Sequence, residues 1–459
     1  MAAKQPTQQP TQQPTDQPIT PGGRLAHVLT VRGEAAEHPE GRMVIAHREA
    51  LIYTLGKAAE LEHLVMCQYL YAAFSLKESE AEGLAEEHVA TVKRWRRDLL
   101  ELAEQEMLHL ALVQNLLAAV GAAPRLARPN LPLPPRAYPA GVQIALMPFG
   151  EEALRHFAFL ERPEGMQMDD VEGFAALAKA AELPDPEEDE IGPRMQDFDT
   201  IGHLYRSIED ALAELAGRMG EPGLFIGPER AQATPADFRW DELVPVRDMA
   251  SASAAIETIV EQGEGARGDW HDAHFGRLIR MLDDYLELRQ ADPTFEPARP
   301  VLLAHVRPPA SGAEVVLITE PFTARVTDLL NAVYEVILQL LARYFTNTDE
   351  SPAQLSTLAD VAVGLMYGAV KPLGGLITRL PVGVERPGVT TGPALELFYD
   401  VDYLLPHREA AWTIMEERLR EIAELATRCR DQCVPKYMPI VGRVTQALEA
   451  QANRLAAAH

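Results

Sequence analysis

The residues that constrain this chain most are carboxylates placed where a helix should present only apolar side chains. Residues 91–120 read as one long helix, because Trp95, Leu99, Leu102, Glu106, His109, Leu110, Val113 and Leu117 recur three or four apart. Those positions share a face, so Glu106 and His109 sit among apolar neighbours. An ionised carboxylate buried alone is costly and needs a cationic partner. No Lys or Arg shares the stripe nearer than Arg97, more than two turns back. A divalent cation would supply the charge. Glu-x-x-His aims both groups at one point, and four-helix bundles that hold two metals use that half-site. As a lone pattern it is weak, since a core His beside a Glu leaning to the surface is commoner.

A second helix of the same character, residues 47–77, raises the odds. Its apolar face runs through Leu55, Ala58, Ala59, Glu62, Val65, Met66, Tyr69 and Ala73, with Glu62 embedded as Glu106 is. Tyr69, two turns along, is the candidate catalytic residue, as a hydrogen-bond donor or electron source. Glu60 and His63 also spell Glu-x-x-His but share a more mixed face with Gly56, Cys67 and Tyr71, so His63 is expected beside the site or at the surface. In residues 198–218 the stripe Phe198, Ile201, Tyr205, Glu209, Leu212 and Ala216 offers Glu209.

The fourth helix, from 251, carries Glu257, Glu261 and Glu264 but no Glu-x-x-His. Gly263 and Gly265 predict a break around Glu264. The chain resumes with His271 and His274 on a face with Leu278, Met281, Leu282 and Tyr285. A broken helix could bring Glu264 and His274 to one metal, with Glu261 and His271 as alternatives. Four Glu charges would balance two divalent ions, and oxygen with imidazole donors suits iron or manganese.

The segments EHLVMCQYLYAAFSLK (62–77), LAEQEMLHLALVQNLLAAVGAAPRLARPNLP (102–132), LERPEG (160–165), IGHLYRSIE (201–209) and EQGEG followed by AHF (261–265, 273–275) resemble the ferritin-like domain family of iminophenyl-pyruvate dimer synthases. The resemblance runs from about residue 45 to 300. Related standalone proteins are similar over GLMYGAVKPLGGLITRLPVG (364–383), TTGPALE (390–396) and LPHREAAW (405–412). The resemblance implies an all-α, ferritin-like four-helix bundle, with metal ligands carried to Glu62, Glu106, His109, Glu209, Glu264 and His274. Two departures stand against a simple transfer. The fourth helix lacks the ferritin pattern, and those synthases are much larger chains.

The expected organisation is a disordered Gln/Pro-rich lead-in (1–40), a ferritin-like di-metal domain (41–300) and a C-terminal helical domain (301–459). Proline-rich connectors at 122–150, 219–247 and 286–312 are long crossovers, the first of which could shape a substrate entrance. The acidic run at 186–190 reads as a loop. A short strand near 313 and helices at 313–344, 360–371 and 407–433 are expected further on. Lys371-Pro372-Leu373-Gly374-Gly375 lacks Walker spacing and reads as a helix end, and His407 as a cap or packing residue.

The 68 acidic against 42 basic residues leave a net charge of −26, which disfavours nucleic acid and anionic membranes as partners. Three cysteines exclude a disulfide framework, and with no signal peptide or run of 18 apolar residues a soluble, cytoplasmic protein is expected. The expected function is that of an oxidoreductase using two metal ions, iron foremost, to oxidise a small organic molecule with O2, in a chain able to self-associate. The alternatives are an imine-coupling synthase and a non-catalytic metal-binding protein.

Overall fold

The computed structural model describes residues 43–133, 137–139, 142–172, 174, 193–265, 269–309, 312–346, 349–398 and 406–459. The expected disordered tail and the acidic loop at 186–190 fall outside the described residues. Helix dominates. In chain order, α1 (Arg48–Ser75), α2 (Glu86–Ala119), α3 (Glu151–Leu160), α4 (Ile201–Met219), α5 (Met249–Gly263) and α6 (His274–Ala291) come first. They lead into α7 (Pro321–Thr346), α8 (Pro352–Leu365), α9 (Lys371–Ile377), α10 (Arg408–Gln432) and α11 (Met438–Ala458). Strands are two-residue parallel pairings, Val301–Leu302 with Thr390–Thr391 and Ala304–His305 with Val316–Leu317. The last of these is the strand expected near 313.

Helix boundaries follow from local chemistry. His47 Nδ1 accepts the Ala50 N–H at 3.1 Å to start α1, and Thr200 Oγ1 accepts the His203 N–H at 3.1 Å to start α4. Asp248 and Ser251 form a capping box on α5. Each satisfies backbone donors that a first turn leaves open. At the other end α5 stops at Gly263, and Gly265 adopts φ +91°, a conformation that favours glycine. The expected break is where the glycines put it.

Helices α1, α2, α5 and α4 pack in a closed ring: α1 on α2, α2 on α5, α5 on α4, and α4 back on α1. This is a four-helix bundle. Helices α3 and α6 form a further pair, joined to the ring where α6 meets α5. In the C-terminal half, α10 lies along α11, α7 packs against α8 and α10, and α8 against α11. One continuous set of buried residues runs through both halves.

Where α9 meets α1, Gly374 permits a very close approach: a Cβ there would sit 2.5 Å from the Phe74 ring. The run Lys371–Gly375 was expected to end a helix, and instead it opens α9 after a π-helical turn at Met366–Val370. Pro372 lies just past that turn, within the continuous helical stretch Pro352–Ile377, where the π register already interrupts the regular ladder. His407 caps α10 through the Ala410 N–H at 3.4 Å. Cys67, Cys429 and Cys433 are buried free thiols.

One stretch qualifies the expectation of no membrane-length helix. Pro352–Ile377 is long and apolar enough by composition to cross a membrane, and it is only partly buried within the protein. Its Val363, Met366, Tyr367 and Val370 line a cavity facing α1 and α2, which gives these apolar side chains a place within the protein.

Candidate metal centre

Glu62 on α1, Glu106 and His109 on α2, and His274 at the start of α6 converge in the interior, joined by Glu161 from the end of α3. None is more than 5% exposed. His109 Nδ1 lies 3.2 Å from Glu106 Oε2 and 3.4 Å from Glu62 Oε2. His274 Nδ1 lies 2.9 Å from Glu106 Oε1 and 3.5 Å from Glu161 Oε1. Two groups able to hold a metal ion result, Glu62–Glu106–His109 and Glu106–Glu161–His274, each with its ligand atoms within 4.8 Å of one another. Glu106 belongs to both, one oxygen toward each histidine.

The surroundings repeat about Glu106. His109 Nε2–H donates to Gln262 Oε1 at 3.1 Å, and His274 Nε2–H donates to Gln105 Oε1 at 3.2 Å. Holding the outer nitrogen this way fixes the tautomer and leaves each Nδ1 lone pair facing the carboxylates. The Tyr205 hydroxyl donates to Glu62 Oε1 at 2.5 Å, and the Tyr69 hydroxyl donates to Glu161 Oε1 at 2.5 Å. The two imidazoles stack with centroids 5.5 Å apart.

Without a cation, protons must offset three packed carboxylates. Burial, then the charge of Glu106, pushes Glu62 up to about 8. Burial alone would depress His109, but Glu106 and Glu62 raise it to about 10. Glu106 is held well below the usual carboxylate range: burial opposes this, but the charges and hydrogen bonds of His109 and His274 prevail. Burial drives both Tyr69 and Tyr205 well above the usual phenol value, so their hydroxyls stay protonated donors.

The donor set fits two divalent ions. Each group offers carboxylate oxygen and imidazole nitrogen, the combination that suits iron and manganese. His274 Nδ1 provides a further test, being buried with carboxylate oxygens of Glu106 and Glu161 2.9 and 3.5 Å away. A buried nitrogen and carboxylate oxygens that converge at these distances can serve as co-ligands of a cation once the proton between them is lost.

Four of the six expected ligands thus come together and two do not. Glu209 lies half-buried and pairs with Arg206 at 3.2 Å, while Tyr205, one turn earlier, takes the inward place. Each four-residue step advances roughly 40° beyond a full helical turn. The stripe 201, 205, 209 therefore drifts off the buried face, which runs through Leu204, Ile208, Ala211 and Leu215. Glu264 accepts the Glu164 N–H at 2.6 Å and lies over Gly202, where a Cβ would come within 2.4 Å of its Oε2. Among the described residues it belongs to neither group. Glu261 and His271, the alternatives, are exposed.

Glu161 was not singled out as a ligand. It caps the C-terminus of a ten-residue helix, where no stripe could mark it, and its only sequence signal was LERPEG. In the ring itself α4 contributes Tyr205 and α5 contributes Gln262, while α3 and α6 bring Glu161 and His274 from outside. Tyr69 is placed as expected, bonded to Glu161 and edge-on to His274. His63 faces away from the centre: Nδ1–H donates to the Leu126 carbonyl at 2.9 Å and Nε2 accepts from the Tyr334 hydroxyl.

Beside Glu161 and Tyr205 is a pocket of about 20 Å³, bordered also by Gly202, Gly263 and Glu264. That is room for a water or a diatomic molecule.

A buried carboxylate and histidine cluster reached from a four-helix ring marks a ferritin-like class of protein. A family model described as Ferritin-like matches residues 55–283, and the chain belongs to that family. It is 27% identical over 433 residues to dichlorochromopyrrolate synthase of Lentzea aerocolonigenes, covering 85% of this chain and 40% of that protein. It is 30% identical over 393 residues to 2-imino-3-(indol-3-yl)propanoate dimerase of Chromobacterium violaceum, covering 81% of this chain and 36% of that protein. The chain therefore spans about two fifths of the length of these relatives. A crystal structure of a ferritin-like protein from Caulobacter vibrioides aligns with TM-score 0.43 and 20% identity, covering 70% of this chain and 96% of that one.

Proposed function

We propose that this chain is an enzyme that oxidises a small organic molecule with O2 at a two-metal centre, with iron as the metal and manganese the alternative. The observation that carries the reading is the pair of buried ligand groups sharing Glu106. Bound there, the metals would supply redox capacity that no side chain has. The chain's own residues do the rest. Glu62, Glu106 and His109 hold one ion, and Glu106, Glu161 and His274 the other. Gln262 and Gln105 orient the imidazoles, and Tyr205 and Tyr69 steady the outer carboxylates. Tyr69 carries a proton at hydrogen-bond distance from a ligating oxygen, and so can return it to the centre.

Three carboxylates leave two divalent ions with one positive charge in excess, which suits an anion entering the small pocket. The free thiols suit a reducing cytoplasm. The relatives' names favour a second reading, in which the oxidation joins two imino-acid molecules, this chain supplying one part of what those longer proteins do.

The test is O2 uptake by metal-loaded protein with candidate aromatic imino acids, with products followed by mass spectrometry. Substrate-dependent uptake that Glu106→Ala abolishes supports the reading, and a product at twice the substrate mass favours coupling. Fe(II) oxidation that no organic compound alters, or unchanged uptake in Glu106→Ala, overturns it.

A further inference from the structure

The pocket beside the metal ligands has no room for an organic molecule, but a large cavity lies against another part of the same two helices. Its volume is about 1070 Å³, and it lies between α1 and α2 on one side and α7 to α9 on the other. Residues that line it lie close to the ligands in the chain: Met66 and Leu110 follow Glu62 and Glu106 by one turn, and Leu70 and Met107 adjoin Tyr69 and Glu106. The side chains of α1 and α2 therefore form the wall between cavity and ligands. The opposite wall is apolar, with Ile337, Leu341 and Phe345 of α7 and Val363 before the π turn.

The charge of the lining runs against that of the chain. Seven Lys and Arg side chains line the cavity against four Glu, in a protein whose net charge is −26. The cations are not all spoken for. Arg299 takes both oxygens of Glu82, at 2.7 and 2.9 Å, and Arg379 holds one oxygen of Glu78 at 2.7 Å. Arg96 is left with the other Glu78 oxygen at 3.5 Å, and its buried Nε has no hydrogen-bond partner. Burial draws the Arg96 pKa down against the attraction of Glu78, with Arg299 and Arg379 adding repulsion. A guanidinium only 21% exposed and so poorly paired can receive an anion through a forked contact. The remaining buried polar group of the wall is satisfied within itself. His63, Cys67 and Tyr334 bond to one another across the two halves of the chain and hold the cavity open between fixed walls.

We infer that this cavity is the binding site for the organic ligand, and that it takes an amphipathic anion: an apolar, aromatic-sized body against α1, α7 and Val363, with a carboxylate or sulfonate on Arg96. The inference deepens the function proposed above by placing its organic molecule, but the binding itself needs no metal. A ligand here would be separated from the metal ligands by the side chains of α1 and α2, so its oxidation would pass electrons through that wall to the metals, where O2 would accept them.

The experiment uses the full chain and 8-anilinonaphthalene-1-sulfonate, an aromatic body with one anion, followed by fluorescence. Saturable binding of one probe per chain is expected, weakened about tenfold or more by Arg96→Met. It should be abolished by Leu70→Trp or Val363→Trp, which fill the cavity from opposite walls, with circular dichroism confirming the fold. The uncharged analogue N-phenyl-1-naphthylamine should bind at least about tenfold more weakly. Glu106→Ala should change probe affinity less than twofold, so a failed metal reading leaves this result standing. Equal binding of both probes, an unaffected Arg96→Met variant, or folded Trp variants that bind normally would each overturn the assignment.

Discussion

Exchanging one carboxylate for alanine at two positions separates the observed centre from the symmetric plan that the sequence suggests. Glu209 pairs with Arg206 three residues away, with side chains 28% and 40% exposed, so the pair is worth at most about 0.5 kcal/mol. Glu209→Ala should therefore change stability within about twofold in the folding equilibrium and leave metal binding untouched. Glu161→Ala removes a ligand of the second ion, next to a His274 nitrogen that has no other partner than Glu106. It also strands the Tyr69 hydroxyl in the interior, which costs about 1–3 kcal/mol. Loss of outer partners alone weakens metal sites roughly 10- to 100-fold, so loss of a ligand should exceed that. Anaerobic titration with Fe(II) or Mn(II) and metal analysis should count two ions per chain in Glu209→Ala and one in Glu161→Ala. A Glu161→Ala protein that keeps two ions, or a Glu209→Ala protein that loses one, refutes the reasoning.

Gln262→Leu and Gln105→Leu should each weaken one ion by roughly 10- to 100-fold and spare the other, read by the same titration. Glu62, raised to about 8, and His109, raised to about 10, both hold protons at pH 7, and Glu106 and Glu161 raise His274 as well, so loading the metal-free protein should release at least about two protons into weak buffer. Both pKa values lie above the ordinary 4.5 and 6.5, so these groups favour the metal-free fold fully at low pH and progressively less as pH rises through 8 and 10. The melting temperature of metal-free protein should fall from pH 7 to 10, and metal should flatten that dependence. Gly374→Val should drive a side chain into the Phe74 ring and cost about 1–3 kcal/mol, seen as a lower melting temperature with metal content intact.

Glu62, Glu106, His109 and His274 were legible because a polar group inside a 3.6-residue apolar pattern stands out without any structure. Periodicity reaches no further than the helices that carry it. Glu161 lies past the last turn of α3, where the pattern has ended, and α3 and α6 come together only in three dimensions. Glu209 was chosen because a symmetric bundle demands a carboxylate on its third helix. Tyr205 holds the inward place, and its value there is as a donor to Glu62 rather than a ligand. Gln105 and Gln262 carry no signal at all, since a surface glutamine and one that orients an imidazole look alike in a string. The break at Gly263 and Gly265 was readable as local backbone chemistry, whereas the destination of Glu264 depended on its contacts with Glu164 and Gly202. At Lys371–Gly375 proline and glycine pointed to a helix end, but the helix runs on to Ile377 after the π turn, and Gly374 serves the approach of α9 to α1.

The central claim is that two metal ions sit on either side of the Glu106 carboxylate. Crystals of protein loaded with Fe(II) without oxygen, measured at the iron absorption edge, test it most directly. Two anomalous peaks per chain are predicted, one against Glu62 and His109 and the other against Glu161 and His274. A single peak, or density at Glu209 or Glu264 in place of Glu161, would contradict the account.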